Sequence, residues 1–156
     1  MNSFYDALEN TPPEQREADL MTALPAQIAN ARTNSAAFAE ILADIDPASI
    51  NSRAALATLP VTRKYQLQER QQAQRADNAF GGFATMDFGA AMPRVFCSPG
   101  PIYEPEGIRG DYWRMARALY AAGFRAGDLA HNSFSYHFVP AGSMMENGAH
   151  ALGGTV

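Results

Sequence analysis

Cysteine occurs once, at Cys97, so no disulfide can close within the chain, and none of its three histidines stands at a metal-site spacing from it. Lysine is equally scarce. Eleven of the twelve cationic residues are arginines, which suit static ion pairs and anion clamps; a catalytic amine has only Lys64 to draw on. No stretch approaches the roughly 20 consecutive apolar residues of a membrane span. The opening MNSFYDALENTPPEQREADL carries acids before any base and no apolar run, unlike a secretory leader or a transit peptide. Net charge is -4 and the pI near 5.3, which excludes broad binding to nucleic acid or anionic membrane, since both need a concentrated basic face. A reducing, cytoplasmic setting is expected.

What remains is an ordinary globular composition, 47% hydrophobic and 18% charged over 156 residues, enough for one domain with a real core or part of one. Thr11-Pro12-Pro13-Glu14 has the form of a capping box and predicts a helix start, with Leu20, Met21, Leu24, Ile28 and Ala31 at helical spacing and Pro25 expected to end or kink it. Phe38, Ile41, Leu42 and Ile45 continue the pattern, and Asp46-Pro47 breaks it. A short helix is predicted from Ser52 to Pro60 and a polar, solvated one from Tyr65. Residues 78–92, rich in Gly, Ala and Phe, read as a loop whose aromatics dock on the body.

From Arg94 the pattern changes to strand, helix, strand, helix, strand. Val95-Phe96-Cys97 predicts a strand, residues 108–122 a helix ended by Gly123, Asp128–Phe134 a buried strand, and residues 141–152 a helix whose glycines would let it lie close to a sheet. The expected fold is therefore α/β: a helical region over 1–92, then an incomplete subdomain over 93–156 with a partial parallel sheet of βαβαβ type. Two strands cannot cover such a sheet, so truncation, and dimerisation through exposed edges, are expected.

Between Arg94 and Gly107, RVFCSPGPIYEPEG, a strand runs into a loop of three prolines and two glycines, the place where an α/β protein collects ligands. This segment, with Leu59-Pro60-Val61-Thr62-Arg63-Lys64, Ala121–Asp128 (AAGFRAGD) and Gly148–Val156 (GAHALGGTV), resembles the N-terminal portion of the phenylacetate-CoA ligase family of adenylate-forming enzymes. The resemblance implies a two-step acid–thiol ligase: ATP and a carboxylic acid give an acyl-adenylate, which coenzyme A then attacks, with Mg2+ and a lysine neutralising phosphate charge. It also implies an incomplete enzyme, because the family's adenylation lysine lies in a C-terminal domain that this chain lacks.

The family loop is Ser-Ser-Gly-Thr-Thr-Gly-Lys-Pro; here it reads Ser98-Pro99-Gly100-Pro101-Ile102-Tyr103-Glu104-Pro105. Ser98 and Gly100 remain as candidate phosphate contacts, while two threonines and the lysine are gone and an anion has been gained. In Asn132–Gly142 (NSFSYHFVPAG) the resemblance implies a pocket for an aromatic or other carboxylic acid, with Phe134, Tyr136, His137 and Gly142 as candidates; His137 replaces a family glycine and would narrow it. Other residues read as structural: Cys97 as a small core hydrophobe, His131 as a hydrogen-bonded core group, His150 as a helix-end charge, Tyr112, Trp113 and Met144-Met145 as packing. Glu104 and Glu106, two apart in a loop, are expected to be solvated rather than metal ligands. No nucleic-acid partner is expected. A non-catalytic ligand-binding or interaction module on the same fold is the alternative to the ligase.

Overall fold

Proline at the first turn of a helix loses only an N–H that would have no partner, and the first helix, α1 (Pro13–Asn34), starts there. The structure, a computed structural model, describes residues 4–156; Met1–Ser3, the start of the acid-rich N-terminus, lie outside the described residues. The helix cap is Pro12 rather than Thr11, and no side chain caps it. Pro25 does not end α1. The helix runs through it for 22 residues because Leu24, Ile28 and Ala31, on either side, pack on one core with buried Leu42 and Ile50.

The chain divides into two compact units. One is Thr11–Asp87. Here α1 is followed by α2 (Ala36–Ile41), the short α3 (Arg53–Leu56) and α4 (Lys64–Ala73), with Ser35, Asp46 and Ser52 side chains accepting from backbone N–H groups at successive helix or 3-10 starts. Helix α4 is not solvated all round: Gln71 is buried, and Arg70 reaches the Gly81 carbonyl through Nε at 2.7 Å and Glu40 through both terminal nitrogens. Phe80 is buried and Phe83 meets Phe38 edge-on, as expected of a loop docked by its aromatics, whereas Phe88 is exposed.

The other unit joins the stretch up to Asn10 to Phe88–Val156. Its strands, β1 (Arg94–Ser98) and β2 (Ile102–Glu106), form an antiparallel hairpin, with Arg94 opposite Glu106 at the open end and Ser98 opposite Ile102 at the turn. Phe96, Ile102 and Glu106 alternate onto one buried face, and the Trp113 ring lies 6.3 Å from that of Phe96. Two helices follow, α5 (Met115–Ala121) and α6 (Ala141–Ala151).

A parallel βαβαβ sheet is not found among the described residues. β1 pairs with its immediate successor across a short turn, and parallel pairing is limited to one bridge, Leu129 with Thr155. The segment expected to be a buried strand leaves Leu129 79% exposed. β2 was hidden by its composition, since a proline and two acids in five residues carry little strand signal. Helix α5 starts at Met115 rather than near residue 108, because Asp111 and Arg114 adopt φ of 49° and 60°, incompatible with a right-handed helix. The fold is thus mixed and mainly helical, with a two-stranded antiparallel sheet.

Candidate functional site

The hairpin turn and the aromatic segment are brought together by one backbone bond. Cys97, half-buried on β1, donates its N–H to the Phe138 carbonyl at 2.7 Å, so the aromatic segment meets the hairpin edge at Phe138, beside the end of β1. Asn132 organises the segment: its amide nitrogen donates to the Tyr136 hydroxyl at 2.7 Å and to the Gly142 carbonyl at 2.9 Å, while its Oδ1 accepts from Phe134 N. Asn132 was not singled out from sequence, although Asn side chains commonly bond the backbone two residues on.

Within this frame Ser98 closes β1 and Gly100 lies exposed in the turn. Phe134, Tyr136 and His137 are exposed, the two aromatics by 53% and 52%; the His137 Nδ1 accepts from Phe138 N at 2.8 Å. Phe134 also borders a cavity of about 120 Å3 walled by Leu119, Phe124 and Met145. Gly142 is buried in the first turn of α6, where a Cβ would stand 2.5 Å from the Ser135 carbonyl oxygen, so only glycine lets the segment close onto the helix.

The turn by itself offers a polyphosphate few donors. Pro99 and Pro101 have no N–H, the Ser98 hydroxyl donates across the turn to the Ile102 carbonyl at 3.4 Å, and the first acidic side chain along β2 is that of the half-buried Glu104. Nor is there, among the described residues, a group of three His, Cys, Asp or Glu side chains able to hold a metal ion.

At the other end of the hairpin sits a cluster that sequence reading missed. Glu106, expected to be solvated, is 2% exposed. Its Oε1 accepts from Arg94 Nη1 at 2.6 Å; its Oε2 accepts from Trp113 Nε1 at 2.6 Å and from the Ser143 hydroxyl at 3.3 Å. The carboxylate therefore pins both strands to the loop before α5 and to α6. Trp113 is not merely apolar packing.

A hairpin bonded at its edge to an aromatic segment, followed by α5 and α6 and preceded by a helical region, is a fold shared with part of a solved CoA ligase. Among solved structures, 2-hydroxyisobutyryl-CoA ligase in the postadenylation state with 2-HIB-AMP is similar at TM-score 0.81 and 20% identity, covering 92% of this chain and 31% of that one. The same ligase in an open conformation with 2-HIB-AMP and CoA gives TM-score 0.81 and 20% identity over 92% of this chain and 32% of that one. At this identity the likeness shows the fold, and the chain spans less than a third of the length of these ligases. No family profile and no curated protein sequence matches the chain. No helix among the described residues is long and apolar enough to cross a membrane.

Proposed function

We propose that this chain is the N-terminal part of an ATP-dependent acid–thiol ligase resembling phenylacetate-CoA ligase, which adenylates a carboxylic acid and passes the acyl group to coenzyme A. The observation that carries the reading is the fold match over 92% of the chain to a CoA ligase solved with an acyl-adenylate and CoA. In this reading residues 1–92 form the helical support and 93–156 the site-bearing subdomain. Phe134 and Tyr136 stack on an aromatic acid, His137 narrows its pocket and Gly142 keeps the backbone close. Ser98 and Gly100 are the turn's remaining phosphate contacts, and the rest of the grip on ATP and Mg2+ would come from parts of the protein outside this chain. The protein works in the cytoplasm, and the isolated piece dimerises through its exposed edges.

The chemistry of the turn favours a second reading, a non-catalytic ligand-binding module on the same fold. Acid-dependent exchange of pyrophosphate into ATP separates the two. The ligase reading expects no exchange from the 156-residue chain and exchange from a protein extended to the length of the CoA ligases. An extended protein that binds carboxylic acids without exchange supports the module, and exchange by the short chain alone would show that the piece is sufficient.

A further inference from the structure

At the end of the ladder away from the turn, the hairpin opens onto a cavity of about 240 Å3 whose walls include Arg94, Glu106, Arg109, Asp111, Asn147 and His150. Both of its carboxylates are already committed. Glu106 accepts from Arg94, Trp113 and Ser143, and Asp111 accepts from the backbone N–H groups of Met115 and Ala116 at 2.6 Å and 3.1 Å.

The donors are not committed. Arg94 bonds through Nη1 alone, to Glu106 and Ser143, so that its Nε and Nη2 make no hydrogen bond among the described residues. Arg109 makes one long bond, 3.4 Å to the Tyr112 carbonyl, and Asn147 one of 3.5 Å to Ser143. The His150 side chain makes none among the described residues. In a protein of net charge -4, this concave wall thus carries a surplus of N–H donors, two of them guanidinium forks.

We propose that this cavity binds a phosphate-type oxyanion, free or as the terminal phosphate of a larger molecule. Arginine forks match the oxygens of such a group, and Arg94 is held in place by its bond to the buried Glu106, so little freedom is lost when the anion arrives. The volume accommodates a phosphate with some of its water. The site is at the opposite end of the hairpin from the Ser98–Ile102 turn and stands whether or not the chain is part of a ligase.

The test is titration of inorganic phosphate into the full 156-residue chain at constant ionic strength, with arginine side-chain Nε–Hε signals followed by NMR. The Arg94 and Arg109 signals should shift saturably. Arg109→Ala should weaken binding about tenfold, the loss of a charge-assisted contact. His150→Ala should weaken it about threefold, the loss of one further N–H donor; both positions are exposed, so their replacement spares the core. Arg16→Ala, on α1, should change nothing. Methyl phosphate binding as well as inorganic phosphate supports a terminal phosphate as the natural ligand, and inorganic phosphate binding alone supports the free ion. The proposal is overturned if phosphate gives no saturable shift, if acetate shifts the same signals at the same concentration, or if Arg109→Ala binds like the unaltered chain.

Discussion

Arg94 and Glu106 face each other across the open end of the hairpin, 2.6 Å apart, yet their side chains are 55% and 3% exposed. The pair is therefore buried on one side only, and its two halves should respond unequally to mutation. Glu106→Gln keeps an acceptor for Trp113 and loses the charge-assisted bond, a cost of about 1.5–3 kcal/mol. Arg94→Met leaves a buried carboxylate with only Trp113 and Ser143 to hold it, and should cost about 3 kcal/mol or more although it removes the more exposed side chain. Urea unfolding followed by the fluorescence of Trp113, the sole tryptophan, measures both. Equal costs would contradict the asymmetry.

What could be read along the chain was local. Ser52 and Asp46 announce helix or 3-10 starts because the bond each makes spans three residues or fewer, and Gly123 and Gly153 mark helix ends because both need positive φ. What could not be read was pairing. A strand beginning at Arg94 can pair across a tight turn or by crossover, and nothing in its own five residues decides between them. The burial of Glu106 depends on partners 12 and 37 residues away, so two acids in a proline-rich stretch looked solvated. The site was legible as a location and not as an arrangement: the strand and its loop were visible, while the Cys97–Phe138 bond that sets the aromatic segment beside them was not.

Gly148 should not tolerate a side chain. A Cβ there would lie 2.8 Å from the Met115 Cβ and 3.0 Å from the Ala116 backbone nitrogen, so α6 meets α5 and not a sheet through this glycine. Alanine gains about 1 kcal/mol of helix propensity, but overpacking against a neighbouring backbone costs about 1–3 kcal/mol. Gly148→Ala is expected to be net destabilising by about 1 kcal/mol, read as a lower urea midpoint with the slope unchanged. A raised midpoint would show that the helices part freely.

The N-terminal turn Ala7–Asn10 is strapped to α5 by Arg117, which bonds Asp6 and Glu9 and stands 5.1 Å from the Tyr5 ring centre. The Arg117 hydrogen bond holds the Asp6 carboxyl below its ordinary value of 3.8. A carboxyl lowered on folding contributes stability that is present above its unfolded pKa and lost as pH falls through the folded one. The strap should therefore be intact at neutral pH and loosen only below about pH 4. Hydrogen exchange of the Leu8 and Glu9 amides should show protection that fades in that range. Arg117→Ala should abolish the protection at every pH; fading near pH 6 would point to a different group.

Ser35 is the helix cap with most to lose. Its Oγ accepts from Phe38 N at 3.3 Å and donates to the Gly82 carbonyl at 2.8 Å, and the residue is 1% exposed, so one hydroxyl both starts α2 and ties the loop at residues 78–83 to it. Alanine at an ordinary N-cap costs about 1 kcal/mol and glycine only a few tenths. Here glycine forfeits the Gly82 bond as well, so Ser35→Gly should also cost about 1 kcal/mol, the usual net value of a hydrogen bond. Ser35→Thr, which keeps the hydroxyl but adds a methyl in a closed site, should restore the bond while straining the packing. Urea midpoints for the two variants, with hydrogen exchange at Ala37 and Phe38, give the decision. A nearly neutral Ser35→Gly would mean that the bond to Gly82 adds nothing to the cap, and that the Ala37 N–H bond to the same carbonyl, 3.0 Å long, suffices to hold the loop.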